Sequence, residues 1–181
     1  MTTSPYDDLP RRKANHQPLS PLPFLQRAAL VRPDKTAIIH GTLRRTYAEF
    51  YARARRLACA LTANGVGKND TVAALLLNTP AMLEAHYGVP MAGAVLNALN
   101  TRLDAATLAF ILDHGEAKVL IVDSELAPLA AEALSHAKAT PKVIEYTDPE
   151  SGIAASLGVT DYDDFVAVEL VVDNLCSVVR Q

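Results

Sequence analysis

Residues 71–123 read TVAALLLNTPAMLEAHYGVPMAGAVLNALNTRLDAATLAFILDHGEAKVLIVD. The stretch opens on an apolar run, 71–77, too short for a helix and apolar throughout, as a strand covered on both faces requires. Thr79 then offers a helix cap, and Pro80 sits in the first turn, where a missing N–H costs nothing. Met82, Leu83, His86 and Val89 recur at helical intervals and predict a helix with that face inward. A second strand, 94–99, leads through Asn100-Thr101-Arg102 into a helix from about Asp104 to His114, closed by Gly115, and 118–122 is a third strand. Apolar strands separated by helices predict an α/β fold around a mostly parallel sheet.

The same alternation continues outward. Downstream, 126–139 predicts a helix and 143–146 a last strand, followed by a turn-rich connection at 147–158 and a short acidic stretch at 161–165. Upstream, residues 1–19 read as an extended arm. Ser20 can then cap a helix with Pro21 at its first position, carrying Phe24, Leu25, Ala28 and Ala29 and stopped by Arg32-Pro33-Asp34. Residues 36–40 and 43–46 flank Gly41-Thr42, which predicts a small antiparallel hairpin. Thr46 and Glu49 have capping-box spacing, each such cap being worth about 1 kcal/mol. Phe50, Ala54, Leu57, Ala58 and Leu61 then share one helical face, and Asn64-Gly65 supplies a left-handed exit. Cys59 lies beside this stripe, where a packed thiol is expected.

Composition narrows the function classes. With 181 residues, 50% hydrophobic and 20% charged, the chain is long enough for one soluble domain with a real core. A net charge of -3 gives no basis for a nucleic-acid or anionic-membrane partner, and Arg11-Arg12-Lys13 reads as part of a solvated tail. Two cysteines, Cys59 and Cys176, suggest neither a disulfide framework nor a zinc site. Pro5, Pro10 and Pro18 with several charges exclude an ordinary secretory signal, and no apolar run has membrane-spanning length. The final Val178-Val179-Arg180-Gln181 is not a peroxisomal address, so a cytoplasmic location is expected.

Motifs that would carry chemistry are missing from the 181 residues. Gly67-Lys68 has Thr62 where a phosphate loop needs glycine and Asn69 where it needs a hydroxyl; Gly65-Val66-Gly67 lacks a third glycine and precedes a strand. His16, His40, His86, His114 and His136 are scattered without metal-ligand spacing. His86 reads as a core-edge histidine and His114 as a complement to a helix C-terminus. Ser124 lacks the glycines of a nucleophile elbow, and Asp163-Asp164 has no acid–base partner in view. Periodicity and spacing therefore lead to an α/β domain with no visible active site.

Longer phrases lead further. RTYAEF at 45–50, GVGKNDTVAALLLNTPAM at 65–82 and GVPMAGAVLNALNTRL at 88–103 resemble the adenylate-forming superfamily, and PLSPLPFLQRAA and AATLAFILDHGEAKVLIVD extend the likeness. Within that superfamily the chain resembles the fatty-acid and plant-type acyl-activating branch of AMP-binding acyl-CoA synthetases. The resemblance covers roughly 19–167 and implies an incomplete N-terminal subdomain of the adenylate-forming fold over 20–167, with a non-family tail at 168–181.

It also implies a two-step reaction using ATP, Mg and coenzyme A: a fatty or aromatic carboxylate becomes an acyl adenylate, and the coenzyme A thiol then displaces AMP. The phosphate loop, the nucleotide-binding motifs and the catalytic lysine of such enzymes have no counterpart here, so no catalytic residue is assigned, no tight cofactor binding is expected, and the tail suggests a frameshift, a misjoined exon or a premature end. Such a chain is expected to be inactive alone and prone to aggregate through open strand edges. One site residue carries over from the resemblance: Arg102, matching a position where some acyl-CoA ligases set an arginine against a coenzyme A phosphate. The other reading of Arg102 is a surface arginine pairing with Asp104, while Asn97 and Asn100 secure the turn. A second function class stays open beside the ligase, a non-catalytic α/β module that retained the scaffold.

Overall fold

The computed structural model describes residues 20–167; the predicted arm, 1–19, and the predicted non-family tail, 168–181, lie outside the described residues. Strand β3 (Thr71–Leu75) is the centre around which the sheet is laid, with β4 (Val95–Ala98) on one side and β5 (Ala117–Asp123) on the other. Beyond β5 follow β6 (Lys142–Tyr146) and the short β7 (Thr160–Asp161), giving the order β4-β3-β5-β6-β7 with every pair parallel. Before the sheet, α1 (Leu22–Val31) leads into the hairpin β1 (Thr36–His40) and β2 (Leu43–Thr46), then α2 (Tyr47–Ala63). The crossovers are α3 (Pro80–Met91), α4 (Ala105–His114) and α5 (Ala127–His136), and α6 (Tyr162–Val166) follows β7. The expected α/β architecture, parallel sheet and small hairpin are all present.

Strand alternation divides the core into two. Val72 and Ala74 of β3, Val119 and Ile121 of β5 and Ile144 of β6 point into a cluster with α2, α3 and α6. Ala73 and Leu75 of β3 and Leu120 and Val122 of β5 point the other way, against Leu108 and Leu112 of α4 and Ala130 and Ala133 of α5. Each strand is thus covered on both faces, as its unbroken apolar run requires. Edge strand β4 departs from this rule, with Val95 half exposed.

Local chemistry sets most boundaries where they were expected. Thr46 and Glu49 form the capping box of α2, and Phe50, Ala54, Leu57, Ala58 and Leu61 are buried on its inner face with Cys59. The exit is made by Gly65, at φ +80°. Asp104 caps α4 by accepting from the Thr107 N–H at 2.9 Å.

Several expectations need correction. Strand β3 ends at Leu75 because the Thr79 N–H turns back to the Leu77 carbonyl at 2.8 Å. Helix α1 starts at Leu22 after Pro21, with the Leu22 N–H donating to the Ser20 hydroxyl at 3.3 Å, and only Leu25 of its predicted apolar set is buried. Thr79 precedes α3 without a side-chain cap bond. Helix α5 starts later and stops at His136, where Asp113 takes the N–H groups of Lys138 and Ala139 at 2.8 and 2.7 Å. The acidic stretch expected at 161–165 takes in the end of β7 and most of α6, and Asp161 starts α6 by accepting from the N–H groups of Asp163 and Asp164.

The largest correction concerns the face of α3. Its buried residues include Ala81, Glu84, Ala85, Gly88 and Val89, whereas Leu83 and His86 are exposed and Met82 is half-buried. Small side chains face α2 because the two helices come too close for large ones: a Cβ on Gly88 would lie 2.8 Å from Leu57 Cδ2 and 2.9 Å from the Ala54 carbonyl oxygen. Bulky residues are therefore turned outward.

Glu84, on that tight face, is completely buried. Its Oε1 accepts from Arg45 Nη1 of β2 and, at 2.7 Å, from Arg53 Nε of α2, while Oε2 accepts from the Tyr162 hydroxyl of α6 at 2.9 Å. Arg53 also reaches Asp163 at 2.5 Å. Burial opposes the charge of Arg53, but hydrogen bonds and attraction from Glu84 and Asp163 more than offset it and raise its pKa. Burial, followed by the nearby Glu84 charge, keeps the Tyr162 phenol protonated far above its ordinary range, so it remains a donor.

Two substitutions test this packing by chemical denaturation. Gly88→Ala is expected to lose about 1–3 kcal/mol of stability through overpacking against α2. Glu84→Gln leaves the Arg45 guanidinium without a counter-charge and Arg53 with Asp163 alone, and is expected to lose about 3 kcal/mol.

Candidate functional site

Chain order reverses between β3 and β5: β3 connects to β4 on one side, and β4 crosses back to β5 on the other. In open parallel sheets the crevice beyond the carboxyl ends of such strands is where ligands bind. Here that end is built from the 77–79 turn after β3, Asp123 at the end of β5 with Ser124 after it, and the 147–150 loop after β6. Beside the 77–79 turn, a cavity of about 380 Å³ lies between residues 37–40 of β1 and the first turns of α3. Ile38, Ile39, Met82 and Leu83 give it apolar walls, and His40, Asn78, Thr79 and His86 bring polar groups.

Most polar groups near the sheet's end are committed to each other. His40 Nε2 contacts both Asp148 oxygens at 2.8 and 2.9 Å, and the Thr42 N–H and hydroxyl donate to Glu150 Oε1 at 2.9 and 2.8 Å, tying the hairpin to the loop after β6. Ser124 is buried and donates to Glu145 Oε1 at 3.0 Å, while Glu145 also accepts from the N–H groups of Ser156 and Leu157 at 2.9 and 3.0 Å. This hydroxyl braces a loop, consistent with its missing elbow. Asp163 and Asp164 likewise serve the start of α6 and the ion pair with Arg53.

Asp123 is the exception. Its Oδ1 accepts from the Glu125 N–H at 3.1 Å, but Oδ2 is buried with no hydrogen-bond partner among the described residues. Burial raises its pKa, and the charges of Glu125 and Asp148 add to the shift.

Arg102, the one predicted binding residue, is exposed in the turn after β4. Its N–H donates to Asn100 Oδ1 at 3.0 Å, so Asn100 secures the turn as expected; Asn97 makes no such bond. The guanidinium forms no ion pair among the described residues, and Asp104 is occupied by the Thr107 N–H and, at 2.8 Å, its hydroxyl. His86 is exposed rather than at the core edge, its Nδ1 donating to the Met82 carbonyl at 2.8 Å. His114 ends α4 with its ring stacked on Phe110 at 5.5 Å. Among the described residues no group of three or more His, Cys, Asp or Glu side chains could hold a metal ion.

Sequence reasoning missed Glu84, Arg45, Arg53, Tyr162 and the His40–Asp148 pair. A signal existed for two of them. Arg53 interrupts the apolar face three residues after Phe50, and Glu84 is the lone acid of a helix otherwise built from apolar, small and aromatic residues and one histidine.

Because the folded state holds the Asp123 proton to a higher pH than the unfolded chain does, its stability contribution falls as pH rises from about 4 through the folded value and stays lost above it. Asp123→Asn, which keeps an acceptor for Glu125, is therefore expected to be more stable than the parent at pH 7. Denaturant titrations at stepped pH should show this advantage shrinking towards pH 4.

With this geometry in view, comparison with known proteins gives a consistent result. The model of the AMP-binding enzyme family matches residues 25–176. The chain is 46% identical over 173 residues to a peroxisomal acetate/butyrate–CoA ligase of Arabidopsis thaliana, covering 89% of this chain and 30% of that protein. It is 43% identical over 172 residues to an acetate–CoA ligase of Humulus lupulus, covering 88% and 30%. Among solved structures, a benzoate CoA ligase from Burkholderia xenovorans matches with a TM-score of 0.68 at 28% identity, over 80% of this chain and 27% of that one. An anthranilate CoA ligase in complex with anthranoyl-AMP matches in fold with a TM-score of 0.72 at 24% identity, over 80% and 27%. The chain thus spans about 30% of the length of the curated relatives it matches, and it belongs to the AMP-binding enzyme family, within which it corresponds to the N-terminal part of plant-type acyl-CoA ligases.

Proposed function

We propose that this chain is the N-terminal scaffold of an AMP-forming acyl-CoA ligase. In that reaction a carboxylate oxygen attacks the α-phosphorus of ATP and pyrophosphate leaves; the coenzyme A thiol then attacks the acyl carbonyl, loses its proton, and AMP leaves. The observation that carries the reading is the family match over 25–176, which takes in the whole parallel sheet and its crossovers. Relatives of this length of match are named as acetate– and butyrate–CoA ligases.

The share of the chemistry proposed for these residues is architectural. ATP and Mg do not fit the groups present: the 181 residues contain no phosphate loop, and no acidic or histidine cluster among the described residues suits a cation. No step is therefore assigned to them here. Arg102 is the proposed contact for a coenzyme A phosphate, supported by an exposed guanidinium that no carboxylate occupies among the described residues.

Two measurements test the proposal. The purified 181-residue chain, given ATP, Mg and acetate, butyrate or benzoate, is expected to release no pyrophosphate above the blank; release proportional to protein concentration would refute its inactivity. A chimaera of the Humulus lupulus acetate–CoA ligase carrying residues 20–167 in place of its matching segment is expected to keep acetate-dependent pyrophosphate release. A folded but inactive chimaera would refute the scaffold reading.

A further inference from the structure

Helix α1 presents its most regular apolar spacing to the outside. Phe24, Ala28 and Val31 recur at intervals of four and three, with Arg27 among them, yet the residue α1 buries is Leu25. Phe24 is 67% and Val31 63% exposed. Together with Tyr47 at the start of α2 they line a groove of about 280 Å³. Three cations line the same groove, Arg27, Arg32 and Lys35, and none of them has an ion pair or side-chain hydrogen bond among the described residues. Among the described residues no carboxylate lines it; α1 contains no acid, and Asp34 of the following turn is not part of the groove.

We propose that this groove docks an acidic segment of a partner protein, with an aliphatic or aromatic side chain inserted between Phe24, Val31 and Tyr47 and carboxylates set against Arg27, Arg32 and Lys35. Charge complementarity selects this occupant. Covering the apolar floor brings the three cations out of water, which is favourable only if anions arrive with the apolar group. A second copy docked through the same patch would set these cations against their own copies. A lipid surface is a poorer match, because three cations around a concavity fall short of the clusters of about 4–8 Lys or Arg that hold anionic membranes. A free small acid has one carboxylate for three cations.

The test is fluorescence anisotropy on the 181-residue chain with a short fluorescein-labelled peptide of aspartate and glutamate flanking a Leu-Phe pair. Saturable binding is expected, weakened about tenfold or more by Val31→Asp, by Arg27→Glu with Arg32→Glu, and by replacing the Leu-Phe pair with serines. Raising the salt from about 0.05 to 0.5 M should also weaken it, since exposed charges are screened. All three substituted side chains lie at this surface, and unchanged circular dichroism melts check that the variants fold. Absence of saturable binding overturns the proposal, as does binding indifferent to both charge reversal and Val31→Asp. It is equally overturned if phosphatidylserine vesicles bind in place of the peptide, or if sedimentation shows Val31→Asp only dissociating a dimer.

Discussion

A single buried carboxylate governs one whole side of this sheet. Glu84 has no contact with solvent, so its charge is tolerable only while Arg45, Arg53 and Tyr162 all reach it. Those three side chains belong to the hairpin, to the α2 that directly follows it, and to α6, where Tyr162 lies more than a hundred residues further along the chain than Arg53. Any of them drifting from the sheet would leave the buried carboxylate with fewer partners in the core, at a cost that counts against a domain's small net stability. The tight α2–α3 contact at Gly88 follows from the same demand, because Arg53 and Glu84 meet only if the helices approach closely. Charge and small side chains thus act as one device.

The opposite side of the sheet works differently. There α4 and α5 pack aliphatic residues against Leu75, Leu120 and Val122, and the polar groups of those helices serve to start and stop them. Shape specificity on that face comes from volume, which tolerates hydrophobic exchange. Glu145 lies beneath this layer and turns its oxygens to Ser124 and the 156–157 backbone, closing the long connection that returns the chain to β7. Asp123 stands next to it with one oxygen unsatisfied, where β3 and β5 part. Unpaired buried acids are rare in folded proteins, and this one sits where open sheets admit ligands.

How much of this was legible in the sequence depended on whether the cause was local. Thr46 with Glu49, Asp104 with its helix, and Asn64-Gly65 act on their own backbones, so spacing alone revealed them. The apolar runs of β3 and β5 were equally readable, since burial on both faces leaves no other composition. The inner face of α3 was not. Hydrophobic spacing chose Met82, Leu83 and His86, whereas the closeness of α2 favoured Ala81, Ala85 and Gly88, and that closeness is a property of two segments together. His40 and Asp148 pair across 108 residues and leave no periodic trace. β7 and α6 are too short to show a period.

The same distinction explains why lineage was readable while chemistry was not. Family phrases such as GVPMAGAVLNALNTRL encode a helix that must lie close to α2, an edge strand and the turn after it, and all three demands are met in the structure. They encode no acid, base or nucleophile. A scaffold holds its sequence through packing constraints, which are many and spread along the chain; a reaction holds it through a few groups converging at one point. Residues 20–167 are dense in constraints of the first kind. Where polar groups do gather at the carboxyl end of the sheet, they neutralise one another, and the exposed exception, Arg102, is a donor in search of an anion rather than a group able to move a proton.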